Sequence, residues 1–410
     1  MSRLPFLLAI LWLAAPVYAG TLGFEDALRL AERRAPALTA AQADEAAARA
    51  AQRAAGALPD PKLIVGLENY PVSGSDAWAL ERDSMTMQKL GFVQEIPNGA
   101  KRAAERAAGD ADIALAGAQR EERRSALRIA TAVSWIEAWH LRRQHALLEE
   151  LETQNTTLAA TVQASVAAGR GQAAEIYLPV RETVALADRR DELARQEARV
   201  LANLTRYVGR VSLADLAGEP PAFRVDPAAL RRHVEHHPEL RRFVAELDKA
   251  DAALRVAVAE RRPDWGVELA FQRRGPDYGD MVSLQLSVDL PVSPATRQNP
   301  VIQARRHDIE RVLAERDDML RDHERALEEL LGEHASLTRQ LRRAARTLLP
   351  ALERQVVLLT DSYAAGGTAL RELLAARREL IDERLRIVTL ESRRQLIEAR
   401  LHYTYEEAQS

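Results

Sequence analysis

The sequence predicts a mainly α-helical chain with a small β part: long coiled-coil-like helix pairs, four short strands and an internal two-fold repeat. Three observations predict it. Leu28 to Pro36 (LRLAERRAP) returns 202 residues on as Leu230 to Pro238 (LRRHVEHHP), and the same offset carries Pro61–Leu67 onto Pro263–Leu269. Aromatic residues make up only 5% of the chain while 29% is charged, a mix that with helical periodicity belongs to long packed helices rather than to several compact globules. Each half also embeds one pair of extended segments between its helices. A repeat of this length is a duplicated half-molecule and not a solenoid unit.

The elements follow in order. Met1-Ser2-Arg3, the apolar run from Leu4 to Pro16 and the small residues around Ala19 predict a secretory signal over residues 1–19. The run is shorter than the roughly 20 apolar residues that a membrane-spanning helix needs. The first repeat is expected over 20–217. It opens with Ala-rich helix from Phe24 to Ala57, broken at Pro36, and Pro59-Asp60-Pro61 stops that helix. Strands are expected at about 62–70 and 85–96, joined by the loop Pro71–Asp83. A long helix over about 100–168 follows, roughly 100 Å long at 1.5 Å per residue. Gly169 and Gly171 end it, and a return helix covers about 173–208. Residues 218–226, overlapping the Gly- and Pro-marked stretch Leu213–Val225, form the linker. The second repeat, 227–410, runs the same course: helix to about Arg262 with a break at Pro238, then strands at about 264–272 and 281–290. Helices at about 299–363 and 369–407 follow, reversing at Gly366-Gly367. Pro179 and Pro350 fall inside these helices, so each predicts a kink or break.

The strands carry a membrane argument. Trp265, Val267, Leu269 and Phe271 alternate with Gly266, Glu268, Ala270 and Gln272, and Val282 to Leu290 alternates in the same way. Such dyad alternation suits a barrel with lipid outside and water inside. A half-buried soluble sheet alternates too, but an export signal and very long helices favour the barrel. Gln88 and Gln94 interrupt the apolar parity of the second strand. Four strands cannot close a barrel, whose smallest forms have about eight, so copies must pool theirs, and three would give twelve.

Composition excludes other classes. The chain has no cysteine, hence no disulfide or thiol chemistry and no cysteine to lipidate, and its net charge of −3 speaks against a nucleic-acid partner. No nucleophile–base pair, phosphate loop or zinc-hydrolase spacing is present, so neither an enzyme nor a cofactor is expected. His233, His236 and His237 share one helical face at i, i+3 and i+4, a spacing that could hold a divalent metal. With no acid or cysteine tied to them, a solvated or helix-packing cluster is the expectation, and no metal site is assigned.

The ordered plan of helix, strand pair, very long helix, Gly-marked turn and return helix resembles the TolC-type outer-membrane factors of bacterial efflux systems. The residues that carry the resemblance are Leu28–Glu32 before Pro36, Ser165–Gly169 through Glu175, and Tyr363–Gly366 through Glu372. Ala376, Arg378, Leu380 and the strand exits Gln94–Pro97 and Val288–Pro291 extend it. Pro59-Asp60-Pro61, Glu68–Pro71 and Met85-Thr86-Met87 are most similar to the heavy-metal branch, the CzcC and CusC type. Many members of that branch carry a lipidated cysteine that this chain lacks.

The resemblance implies a homotrimer in the Gram-negative outer membrane, with a twelve-stranded barrel and a helical tunnel across the periplasm. It implies a periplasmic adaptor and an inner-membrane resistance-nodulation-division pump as partners, and a passive exit duct for heavy-metal cations. A drug-efflux or type I secretion duct shares that architecture, and a periplasmic coiled-coil scaffold is the reading from another class. By the same resemblance, Ala168, Gly169, Arg170, Gly171, Ala365, Gly366, Gly367 and Thr368 form the tip where the adaptor docks. Glu372, and less so Glu175, would face the constricted entrance, where a ring of carboxylates attracts cations.

Overall fold

The computed structural model describes residues 21–169 and 171–406; the expected signal segment and Arg170 lie outside the described residues. Element order follows the repeat. Helices α1 (Phe24–Arg34) and α2 (Pro36–Ala54) lead to strands β1 (Lys62–Glu68) and β2 (Met87–Ile96), then α3 (Gly99–Ala167) and α4 (Tyr177–Val208). The second pass gives α5 (Pro227–His233), α6 (Pro238–Ala259), β3 (Trp265–Arg273), β4 (Met281–Val288), α7 (Gln298–Arg343), α8 (Leu349–Ala364) and α9 (Leu370–Leu401). The strands end one or two residues inside or outside the expected bounds. Both prolines fall where the expected helices are interrupted. Pro179 lies in the first turn of α4, where no donor is required, because a 3₁₀ turn over Ala173–Ile176 precedes the helix. Pro350 is preceded by a π turn over Ala344–Leu348, in which Leu349 N–H reaches back to the Ala344 carbonyl. Widening the ladder there makes room for a residue that has no N–H to donate.

Two compact units divide the chain, and each draws on both repeats because the long helices run through both. Of the described residues, one comprises those within 21–38, 123–237 and 321–406, the other 39–122 and 238–320. In the first, the core gathers Leu22, Phe24, Leu28, Trp135, Ile136, Leu148, Leu186 and Leu204, all almost fully buried. Trp135 is wholly enclosed, its indole N–H donates to the Leu22 carbonyl at 3.1 Å, and Phe24 meets its ring edge-on at 5.4 Å. Trp139 likewise donates to the Gly218 carbonyl at 2.8 Å. Leu22 pairs with Leu216 in a short parallel bridge. Buried indoles that find backbone acceptors contribute their area without stranding a donor.

In the second unit the strands form one antiparallel sheet in the order β1-β2-β3-β4. Register aligns Leu63, Phe92, Leu269 and Leu284 across it, with Val65, Leu90, Phe271 and Val282 in the next row. The junction from sheet to helix is a polar knot. Asn98, just past β2, donates its N–H (2.7 Å) and its amide (2.8 Å) to Asp264 Oδ1, just before β3. Lys101 Nζ sits 3.3 Å from Asp264 Oδ2, and Asn98 Oδ1 accepts the Lys101 N–H at 2.9 Å. Burial raises the Asp264 pKa, but the Asn98 donors and Lys101 outweigh it and the carboxyl sits below its ordinary value.

Asp264→Ala is expected to lower the melting midpoint, since it strands the Asn98 donors, a loss of about 1–3 kcal/mol. Because the folded-state pKa is depressed, this stabilisation is complete above the unfolded value of about 3.9 and is lost as pH falls through the folded one. Melting of both proteins from pH 7 to pH 3 should therefore show the difference shrinking below about pH 4; a pH-independent difference would count against an ionised Asp264.

Candidate functional site: the sheet faces and the helical turns

The sheet has two chemically opposite faces. One carries Leu63, Val65, Leu67, Leu90, Phe92, Trp265, Leu269, Phe271, Val282, Leu284, Leu286 and Val288, every one exposed. Val65 stands 73% and Leu284 75% exposed, values that a sheet packed on a core would not show. The other face is polar and cross-linked: Lys89 bridges Glu268 (2.6 Å) and Glu68 (2.9 Å). Gln272 donates to Glu68 at 3.2 Å, Ser283 donates to Gln272 at 3.1 Å, and Lys62 pairs with Glu95. Gln94, which interrupts the apolar parity, spends its amide on the carbonyls of Pro59 and Glu95, each at 2.8 Å. The outermost strands, β1 and β4, each have one edge with no partner strand among the described residues. Among those residues, no helix is long and apolar enough to cross a membrane.

The helical turns lie in the other unit. Gly169 and Gly366 adopt φ of 73° and 78°, the left-handed region that ends helices and that a Cβ resists. At the second turn Gly367 N–H reaches the Ser362 carbonyl at 2.8 Å and Gly366 N–H the Tyr363 carbonyl at 3.0 Å, while the Ser362 and Thr368 hydroxyls bond at 2.7 Å. Ala168, Gly169, Ala365, Gly366 and Gly367 are exposed; Gly171 and Thr368 are half-buried.

Glu175 and Glu372 sit at equal offsets from their turns but in different settings. Glu175 turns back to its own helix start, its carboxylate accepting the Gln172 N–H at 3.3 Å in a reciprocal cap. Glu372 is exposed in the first turn of α9, where a carboxylate also complements the helix dipole. The three clustered histidines do not share a face. Helix α5 stops at His233, Val234–His236 form a 3₁₀ turn, and Pro238 holds His237 extended (φ −57°, ψ 139°). His236 is exposed, His237 is buried, and His233 and His236 stand ring-to-ring at 6.4 Å.

Sequence reasoning missed the ion pairs that link the two return helices. Arg378 of α9 donates from Nη2 (2.6 Å) and Nε (3.2 Å) to Glu182 Oε2 of α4, and Arg189 pairs with Asp382. Glu182 is buried against this contact, and its second oxygen has no partner. Nothing in either helix alone marks these partners, which lie 196 and 193 residues apart.

No protein-family model and no curated protein matches the chain. Solved structures do. A membrane protein from Pseudomonas aeruginosa superimposes with TM-score 0.78 at 15% identity over 93% of this chain and 89% of its own. CusC superimposes with TM-score 0.75 at 15% identity, over 95% of this chain and 94% of CusC; that structure concerns folding and transmembrane channel formation. The outer-membrane protein VceC of Vibrio cholerae gives 0.72 at 16% identity, over 93% and 95%. The chain therefore has the fold of the TolC-type outer-membrane channels.

Gly366→Ala is expected to destabilise by about 1–2 kcal/mol, because its φ disfavours any Cβ. Gly332→Ala, on an exposed stretch of α7 with nothing near the added methyl, should stabilise by about 1 kcal/mol. Denaturant midpoints of the two variants moving in the same direction would contradict this account.

Proposed function

We propose that the chain is the outer-membrane duct of a tripartite efflux system, assembled as a trimer with its strands pooled in a twelve-stranded barrel. The observation that carries this reading is the sheet: an apolar face standing in solvent, a polar, ion-paired face behind it, and two unpartnered edges. Lipid on the first face, water on the second and neighbouring copies at the edges satisfy all three demands together. The likeness to outer-membrane channels supports the same conclusion, as does the export signal read from residues 1–19. The exposed apolar side chains Tyr177, Val180 and Val184 on α4, and Val357 and Leu358 on α8, would be covered when copies associate.

The turns from Ala168 to Gly171 and from Ala365 to Thr368 are the proposed docking points for a periplasmic adaptor. An inner-membrane pump would supply the energy. Glu372, exposed where its first-repeat counterpart is tied into a cap, is the proposed gate residue. The proposed cargo is heavy-metal cations, a reading supported by the residues from Pro59 to Pro61 and Glu68 to Pro71 and by the likeness to CusC.

Four measurements test the proposal. Purified protein in a planar lipid bilayer should conduct ions as an oligomer of three copies by mass in detergent; a non-conducting, water-soluble single chain would overturn it. Leu284→Arg, on the apolar face, should reduce membrane assembly, a cost of about 2–4 kcal/mol at mid-bilayer, whereas Ser283→Arg on the polar face should spare insertion and alter conductance. Equal effects from the two would refute the assignment of the faces. Glu372→Ala should raise conductance or weaken cation preference, and unchanged traces would remove Glu372 from the gate. For the cargo, a deletion strain should become sensitive to metals with drug sensitivity unchanged.

A further inference from the structure

The histidines that do approach one another come from two distant segments. His237, buried at the corner before α6, and His323, half-buried in the middle of α7, stack their imidazoles at 4.0 Å between ring centroids, tilted by 44°. A ring nitrogen of each lies within 4.8 Å of the other's. Both backbones are held in place. His237 N–H bonds to the Val234 carbonyl at 3.1 Å, and the His323 carbonyl accepts the Tyr405 hydroxyl at 3.3 Å. The Tyr405 ring, almost wholly buried, closes over the pair at 6.0 and 6.3 Å.

We propose that His237 and His323 form a two-imidazole site for a divalent transition-metal cation of the zinc, copper or nickel class. Imidazole suits these ions and not magnesium or calcium, which take oxygen ligands. Two metal–nitrogen bonds of about 2.05 Å at a tetrahedral angle place the nitrogens roughly 3.3 Å apart. To bind, the rings must turn out of their stack so that an in-plane lone pair of each points at the ion. The bound ion would tie the middle of α7 to the corner before α6, which ordinary ring packing does only weakly. The first repeat has no counterpart of this pair, because Ala35 stands where the second repeat has His237. It does not depend on the transport reading: an ion held here is retained, not carried.

The test uses the full-length protein in detergent, purified through a tag without histidine and stripped with chelator. Zinc chloride should then raise its melting midpoint and leave one zinc per chain after gel filtration. His237→Phe and His323→Phe keep an aromatic ring in place. Each should lose the retained zinc and the melting shift while melting close to the unsubstituted protein in chelator. His233→Gln with His236→Gln should change neither readout, and magnesium should bind nowhere in this range. Copper(II) on the unsubstituted protein should give electron paramagnetic resonance coupling from two imidazole nitrogens, a readout that needs no variant to fold. Zinc retained equally by both Phe variants, no zinc retained by the unsubstituted protein, or a copper signal without coupled nitrogens would each overturn the proposal.

Discussion

Large apolar side chains cover one face of β1–β4 while the edges of β1 and β4 carry N–H and C=O groups with no strand to meet them. Each circumstance alone is costly in water. Exposed apolar area costs about 25 cal/mol per Å², and an open apolar edge invites uncontrolled pairing. Together they fit the setting proposed above, hydrocarbon against the face and further strands at both edges. The rest of the molecule is consistent with that constraint. The opposite face concentrates Lys89, Glu68 and Glu268 into a compact ion network, which suits contact with water rather than with lipid. No described helix offers an alternative way through a membrane.

The helices transmit the constraint. Asn98 and Asp264 join the exit of β2 to the entry of β3, so the start of α3 is positioned by strands from both repeats. Along the helices, Pro179 is placed where no donor is missed, and Pro350 is relieved by a π turn. At the helical turns, Gly169 and Gly366 reverse the chain, and Arg378–Glu182 and Arg189–Asp382 join one return helix to the other. A buried Glu182 held by one arginine, with its second oxygen unpartnered, makes that seam sensitive to loss of either partner. Removing one member of a buried pair leaves an uncompensated charge.

The two repeats have diverged in ways that bear on function. Glu175 and Glu372 occupy matching offsets, yet the first closes a reciprocal cap and the second stands free in solvent. Ala35 and His237 occupy matching positions, yet only the second half brings an imidazole against His323. Duplication supplied the frame, and single substitutions made the halves unequal.

Sequence alone determined the plan: which segments are helical, where the strands lie, where glycine reverses the chain and which strand residues share a face. These are local properties, written in periods of two and of about 3.6 residues and in the backbone preferences of glycine and proline. Tertiary structure decided what no local period encodes. It showed that Pro238 breaks the face expected to hold three histidines, and that His237 finds His323 instead. It gave Gln94 its backbone acceptors, Glu182 its arginine and Asp264 its asparagine. Such partners lie tens to hundreds of residues apart, so their meeting depends on how the rods pack and not on any pattern within one of them.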